Sequence, residues 1–256
     1  MGLIMSIPFF DIILIFARIA GLIYTAPIFG SRNYPAQIKI GFVLFLSIIL
    51  FPLVQSSILY DVSSAYQIFL LIVNEVVIGV FMGLILTMYF GFIYFAGDLI
   101  DRDLGFAMVN VVNPLDESQI AITSNLFYIF AMLIFLQLNF HHEIITALVV
   151  SFEKIKLGTV FFSVPSFDIL LDIVEESFVL GFQLASPFVI TVLIANIILG
   201  LLSKAMPGMN IFILGMPFKI FFGFLLFIIL MPYFYEIFAQ ILGDGFKYIV
   251  RFFNLF

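Results

Sequence analysis

The apolar run from residue 167 to 203 constrains this chain most. As one helix rising 1.5 Å per residue it would reach about 55 Å, whereas the hydrocarbon core of a bilayer is about 30 Å thick. A second run, 66–97, is also too long for one crossing. Part of each must project, bend or turn back. Pro187 sits near the middle of the first run and removes one backbone hydrogen bond, which predicts a kink. Pro165 and Ser166 offer a cap at its start. Asp168, Asp172, Glu175 and Glu176 then load the early turns with negative charge, which the helix dipole favours and which belongs outside lipid.

Composition extends this to the whole chain. Hydrophobic residues make up 64% and charged residues 10%, against about 25% charged in soluble domains. Lipid or tightly packed partner subunits must cover most of such a surface. The first residues lack a basic segment and a small-residue cleavage site, and Asp11 and Arg18 interrupt their apolar run, so they read as a retained first helix. With no cysteine there is no disulfide framework and no thiolate metal site. A net charge of −6 argues against nucleic acid as a partner.

Apolar runs at about 7–30, 40–60, 66–97, 119–140, 167–203 and 211–231 predict six main helices, with a weaker amphipathic tail over 232–256. The expected fold is an all-α polytopic membrane protein forming one domain over 1–256. Its N-terminal helices, 1–140, contain a central loop at 96–119, and its C-terminal helices occupy 141–256. On six spans, one side receives Lys154, Lys156, Lys247 and Arg251 and the other Arg32, Lys39, Arg102 and Lys204. Basic residues therefore set no orientation. Either a span is miscounted, or the helices are hairpins assembled against sister subunits.

The central stretch is the first candidate for function. Asp98, Asp101, Asp103, Asp116 and Glu117 surround an almost uncharged core, Gly105 to Val109, closed by Asn113 and Pro114. A solvated loop is the plainer alternative, yet the core looks built to meet something apolar. Glu75, Gly79 and Gly83 are spaced by four and share a helix face, where the glycines permit close backbone approach. An acid at that depth requires a partner. Glu75 is expected either to pair within an interface, for example with Arg18, or to carry protons. Asp11 and Arg18, seven apart, form a polar seam on the first helix. Lys219, just after Pro217, would reach an interface or snorkel. Asn196 and Gln183 could bond across a helix pair. Nothing supports catalysis: His141, His142 and Glu143 lack further metal ligands or a nucleophile, and no phosphate loop, zinc-protease helix or serine elbow occurs. No cofactor or metal is expected.

Several stretches together resemble the FliR family, the flagellar biosynthetic membrane protein of the type III export gate. Arg18, Thr25-Ala26-Pro27-Ile28-Phe29, Arg32, Pro35 and Lys39 resemble its opening. Glu75 with Gly79 and Gly83, then Ala96-Gly97, Gly105-Phe106 and Asn113-Pro114, resemble its middle. Leu138-Asn139-Phe140-His141, Ser151-Phe152, Gly200-Leu201-Leu202, Met206-Pro207, Asn210-Ile211-Phe212, Gly215-Met216-Pro217 and Lys219 follow in order. Phe140 stands where the family usually has glycine, and Met108 where an aromatic is common.

The resemblance implies a single copy in an export gate of the bacterial inner membrane, at the flagellar basal body. FliP-like and FliQ-like subunits and an FlhB-like switch protein would be its neighbours, and unfolded proteins its substrates. It implies a non-enzymatic part whose central loop plugs the closed channel. Gly105 would supply backbone freedom, Phe106 and Met108 bulk, and Pro114 a rigid exit. Asp11, Arg18, Glu75, Gly79, Gly83, Pro207, Gly215, Pro217 and Lys219 would serve packing and assembly. A virulence-type secretion homologue or a proton-coupled secondary transporter are the competing readings. The transporter would show internal repeats, and none is evident.

Overall fold

The computed structural model describes residues 7–27, 29–30, 34–54, 65–106, 121–158, 167–206 and 211–253. Among these, all regular structure is helical: α1 Ile7–Thr25, α2 Ala36–Leu50, α3 Ala65–Leu104, α4 Ile122–Gln137, α5 Phe140–Lys154, α6 Phe167–Ala205 and α7 Ile211–Phe253. Three of them, α3, α6 and α7, are long and apolar enough to cross a membrane. The pair α4 and α5, bent by 70°, passes the same test as a fourth. Against the six spans expected, the described residues supply three helices long and apolar enough, or four spans if the bent pair is one.

Local chemistry explains the other departures. Residues 141–154, expected outside the helices, form most of α5, because Asn139 turns the chain in the left-handed region at φ 57° and ψ 28°. Asparagine tolerates that region better than most residues. The tail over 232–256 is no separate element, since α7 runs on through Pro217 and Pro232 for 43 residues. Pro187 likewise sits inside a continuous α6 of 39 residues. Having no N–H, it leaves the Gln183 carbonyl without its helical donor, and the Ser186 hydroxyl donates to that oxygen at 2.9 Å. The cap expected from Pro165 and Ser166 lies outside the described residues.

Two compact units are built from interleaved stretches. The first comprises Met1–Tyr89, Asn139–Val174 and Leu242–Phe256; the second comprises Phe90–Leu138 and Glu175–Ile241. Leu14, Ile15, Ile19, Ile78, Ile85 and Leu148 are fully buried in the first. In the second, Phe127 meets the rings of Phe188, Phe227, Phe234 and Phe238 at centroid distances of 5.4 to 6.3 Å. Such aromatic contacts add to the burial of their area.

Candidate functional site

Arg18, fully buried on α1, is the centre of the first unit. Its Nε donates to Glu75 Oε2 at 2.7 Å, and both side chains have zero exposure. Nη1 donates to the Ser151 carbonyl at 2.9 Å and to its hydroxyl at 3.2 Å, and Nη2 to the Ile155 carbonyl at 3.0 Å. The Ser151 carbonyl also accepts from the Ile155 amide, whereas the Ile155 carbonyl lies just past α5, where helical donors run out, so the guanidinium also caps that helix end. The ring of Phe152 lies under the same cation, 4.3 Å from its centroid. Glu75 uses its other oxygen, Oε1, to accept from the Gly158 amide at 3.0 Å. One ion pair thus holds α1, α3 and the end of α5 together. A buried pair of this kind is costly to break singly, about 3–5 kcal/mol, because the survivor is left as an uncompensated charge.

The glycines permit this pairing. A Cβ on Gly79 would stand 2.0 Å from the Arg18 carbonyl oxygen, and one on Gly21 2.5 Å from that of Val76. Only backbone without side chains lets α1 and α3 approach so closely. At Gly83 the nearest obstacle is the Thr25 hydroxyl, 1.9 Å away, a side chain with some freedom to move. Asp11 is buried at 3% exposure on the same helix as Arg18.

The second unit contains the stem of the central loop. The polar interruption expected to begin at Ala96 is helical through Leu104. There α3 ends on Gly105, at φ 91°. The Phe106 amide donates to the Asp101 carbonyl at 2.9 Å and the Gly105 amide to that of Arg102 at 3.3 Å. This paired closure requires a left-handed residue, which glycine adopts without a Cβ penalty.

Asp101 joins that end to the next helix. Its carboxylate, 6% exposed, accepts from the Thr123 amide at 2.9 Å and from the Thr123 hydroxyl at 2.5 Å. Ala121, at the cap position of α4, makes no side-chain cap bond. A remote aspartate therefore satisfies one of the orphan amides at the start of α4, where the helix dipole favours its charge. Gly97 allows the approach, since a Cβ there would meet the Ser124 backbone at 2.4 Å. Asp101 thus serves both sides of the stretch 107–120, its backbone carbonyl taking the Phe106 amide and its carboxylate taking Thr123.

Of the expected plug residues, Gly105 and Phe106 lie in this stem, half-buried. Met108 and Pro114 lie outside the described residues, as does Pro207 of the assembly set. Gly215 is buried, with Leu199 3.1 Å from its would-be Cβ, and Pro217 is exposed inside α7. Lys219 is half-buried within electrostatic reach of Asp103. His141 and His142 open α5 with ring centroids 4.2 Å apart, and no group of three metal-ligating side chains occurs among the described residues. Sequence reasoning missed Gly21, Gly158 and Thr123, and met Ser151 only within the resemblance. Gly21 alone had a usable signal, three residues after Arg18 on the helix with the polar seam.

Residues 9–245 match the family model described as bacterial export proteins, family 1. The flagellar biosynthetic protein FliR of Bacillus subtilis (strain 168) is 30% identical over 225 residues, covering 86% of this chain and 85% of that protein. FliR of Aquifex aeolicus (strain VF5) is 28% identical over 223 residues, with 86% and 85% covered. FliR of Escherichia coli (strain K12) is 28% identical over 215 residues, with 84% and 82% covered. With nearly the whole length matched by the family model, the chain belongs to the bacterial export proteins of family 1, the FliR family.

Proposed function

We propose that the chain is a subunit of the flagellar type III protein export gate in the bacterial inner membrane, at the flagellar basal body. There it forms part of the channel for unfolded flagellar subunits, and its central loop plugs the closed pore. The observation that carries the first part is the family match over residues 9–245, joined to helices of 39 to 43 residues that exceed one bilayer crossing. Helices of this length suit a multi-subunit conduit. The relatives are flagellar proteins by name, which favours the flagellar reading over a virulence-type homologue.

The chain acts as a single copy and a single domain. FliP-like and FliQ-like subunits and an FlhB-like switch protein are its neighbours, and its role is structural and conductive rather than enzymatic. Glu75 supports a holding role over proton carriage, because Arg18 and the Gly158 amide occupy both carboxylate oxygens. The plug reading is supported by the stem: Asp101 and Gly105 fix the ends of the stretch that carries Met108 and Pro114. An apolar constriction of Phe106 and Met108 would exclude water from the resting pore and yield to an entering polypeptide.

Deletion of the gene, with complementation, tests the assignment. Loss of filaments and swimming, restored by the wild-type gene, is expected. A deletion strain that builds filaments and swims normally overturns it.

A further inference from the structure

No charged residue occurs between Glu176 and Lys204, so the part of α6 apolar enough to cross a membrane lies within that interval. Asn196 is in it, eight residues before Lys204 and so about 12 Å deeper along the helix. That depth is inside the hydrocarbon if Lys204 marks its edge. Asn196 is nevertheless exposed, and its amide makes no hydrogen bond to another described residue. Gly200, one turn on, is exposed with nothing within 4 Å of its would-be Cβ. Lys204, a further turn on, is exposed and has no ion pair among the described residues. The three are spaced by four and share one face, flanked by exposed Leu193, Ile197 and Leu201.

Lipid suits the flanking residues but not this face, because acyl chains offer an amide no hydrogen bond. A second copy of the chain fits poorly too. Identical subunits cross the membrane in the same direction, and pairing through this face would set Lys204 against Lys204. We propose that the Asn196–Gly200–Lys204 face of α6 is the seat of a membrane helix from a different subunit. That helix presents a hydrogen-bonding side chain level with Asn196, approaches closely at Gly200, and carries an acidic residue level with Lys204. The proposal rests on the gate reading above and adds the place and chemistry of one contact.

The chain contains no cysteine, so a single one can be introduced without background. Gly200→Cys in the full-length protein, in its native membrane, is to be cross-linked and the product identified by mass spectrometry. The expected product joins residue 200 to an apolar helix of another gate subunit with an acid one turn from the linked residue. Gly200→Leu fits the open space of the isolated chain and should leave its abundance unchanged, while co-purification of that subunit falls at least about tenfold. Asn196→Leu should lower it less. Cross-linking only to a second copy of the chain, or undiminished co-purification of the gate subunits with both leucine variants, overturns the proposal. If wild-type protein recovers no gate subunit at all, the gate reading itself has failed.

Discussion

Two buried carboxylates hold this molecule in different ways. Glu75 is matched by a cation, and the guanidinium of Arg18 spreads the load over the end of another helix. Asp101 is matched by the start of a helix, with the Thr123 amide and hydroxyl as donors. The first arrangement depends on two side chains that must both be present. The second depends on one side chain and on backbone that every variant retains. Charge neutralised by a charge therefore makes a brittle joint, whereas charge neutralised by a helix end makes a tolerant one. That contrast fits a fixed α1–α3–α5 cluster and a loop stem of more modest strength.

The largest effect should come from breaking the brittle joint. Arg18→Ala leaves Glu75 buried without a cation and should cost about 3–5 kcal/mol. Loss of the protein from membranes, and a lower unfolding temperature in detergent, would register it. Pairing Arg18→Met with Glu75→Leu should recover only part of the loss. It removes the stranded charge but takes from the Ile155 carbonyl its guanidinium donor and from the Gly158 amide its carboxylate acceptor. A double variant no better than Arg18→Ala would mean that the stranded charge is not what makes the single variant unstable.

Gly79→Ala comes next, at about 1–3 kcal/mol, because its Cβ would meet the Arg18 backbone and α1 would have to move. Asp101→Ala should cost about 1–2 kcal/mol, the usual worth of a helix cap. Asp101→Asn should cost less, since an acceptor for the Thr123 amide remains. Limited proteolysis between 107 and 120 reads this difference, with cleavage fastest in the alanine variant. Equal rates for the two would remove Asp101 from the stem's support. The smallest effect is expected at Gly91, where a Cβ meets nothing within 4 Å. There Gly91→Ala should gain about 0.5–1 kcal/mol by removing a flexible residue from a helix. The same thermal measurement separates it in sign from Gly79→Ala.

Much of this is legible in the residues themselves. Overlong apolar runs give α3 and α6, and the spacing of Glu75, Gly79 and Gly83 gives a close helix crossing with an acid on it. Arg18 is among its candidate partners because charge is so scarce. Ile155 and Gly158 are not legible, because they contribute a backbone carbonyl and an amide, which any residue carries. Asp101 reads wrongly as a loop acid because five acids in one stretch look solvated. A cap from a distant helix has no local signature, and only the fold brings Thr123 to it. The bend at Asn139 hides α5, since an asparagine between two apolar segments reads equally as a helix end or a loop.

Resting ion leak in cells with Phe106→Gly and Met108→Gly together most directly tests the claim that the central loop seals the gate. A clear rise in membrane conductance is predicted for the variant, with the protein present at normal abundance. Conductance equal to wild type at that abundance would contradict the claim.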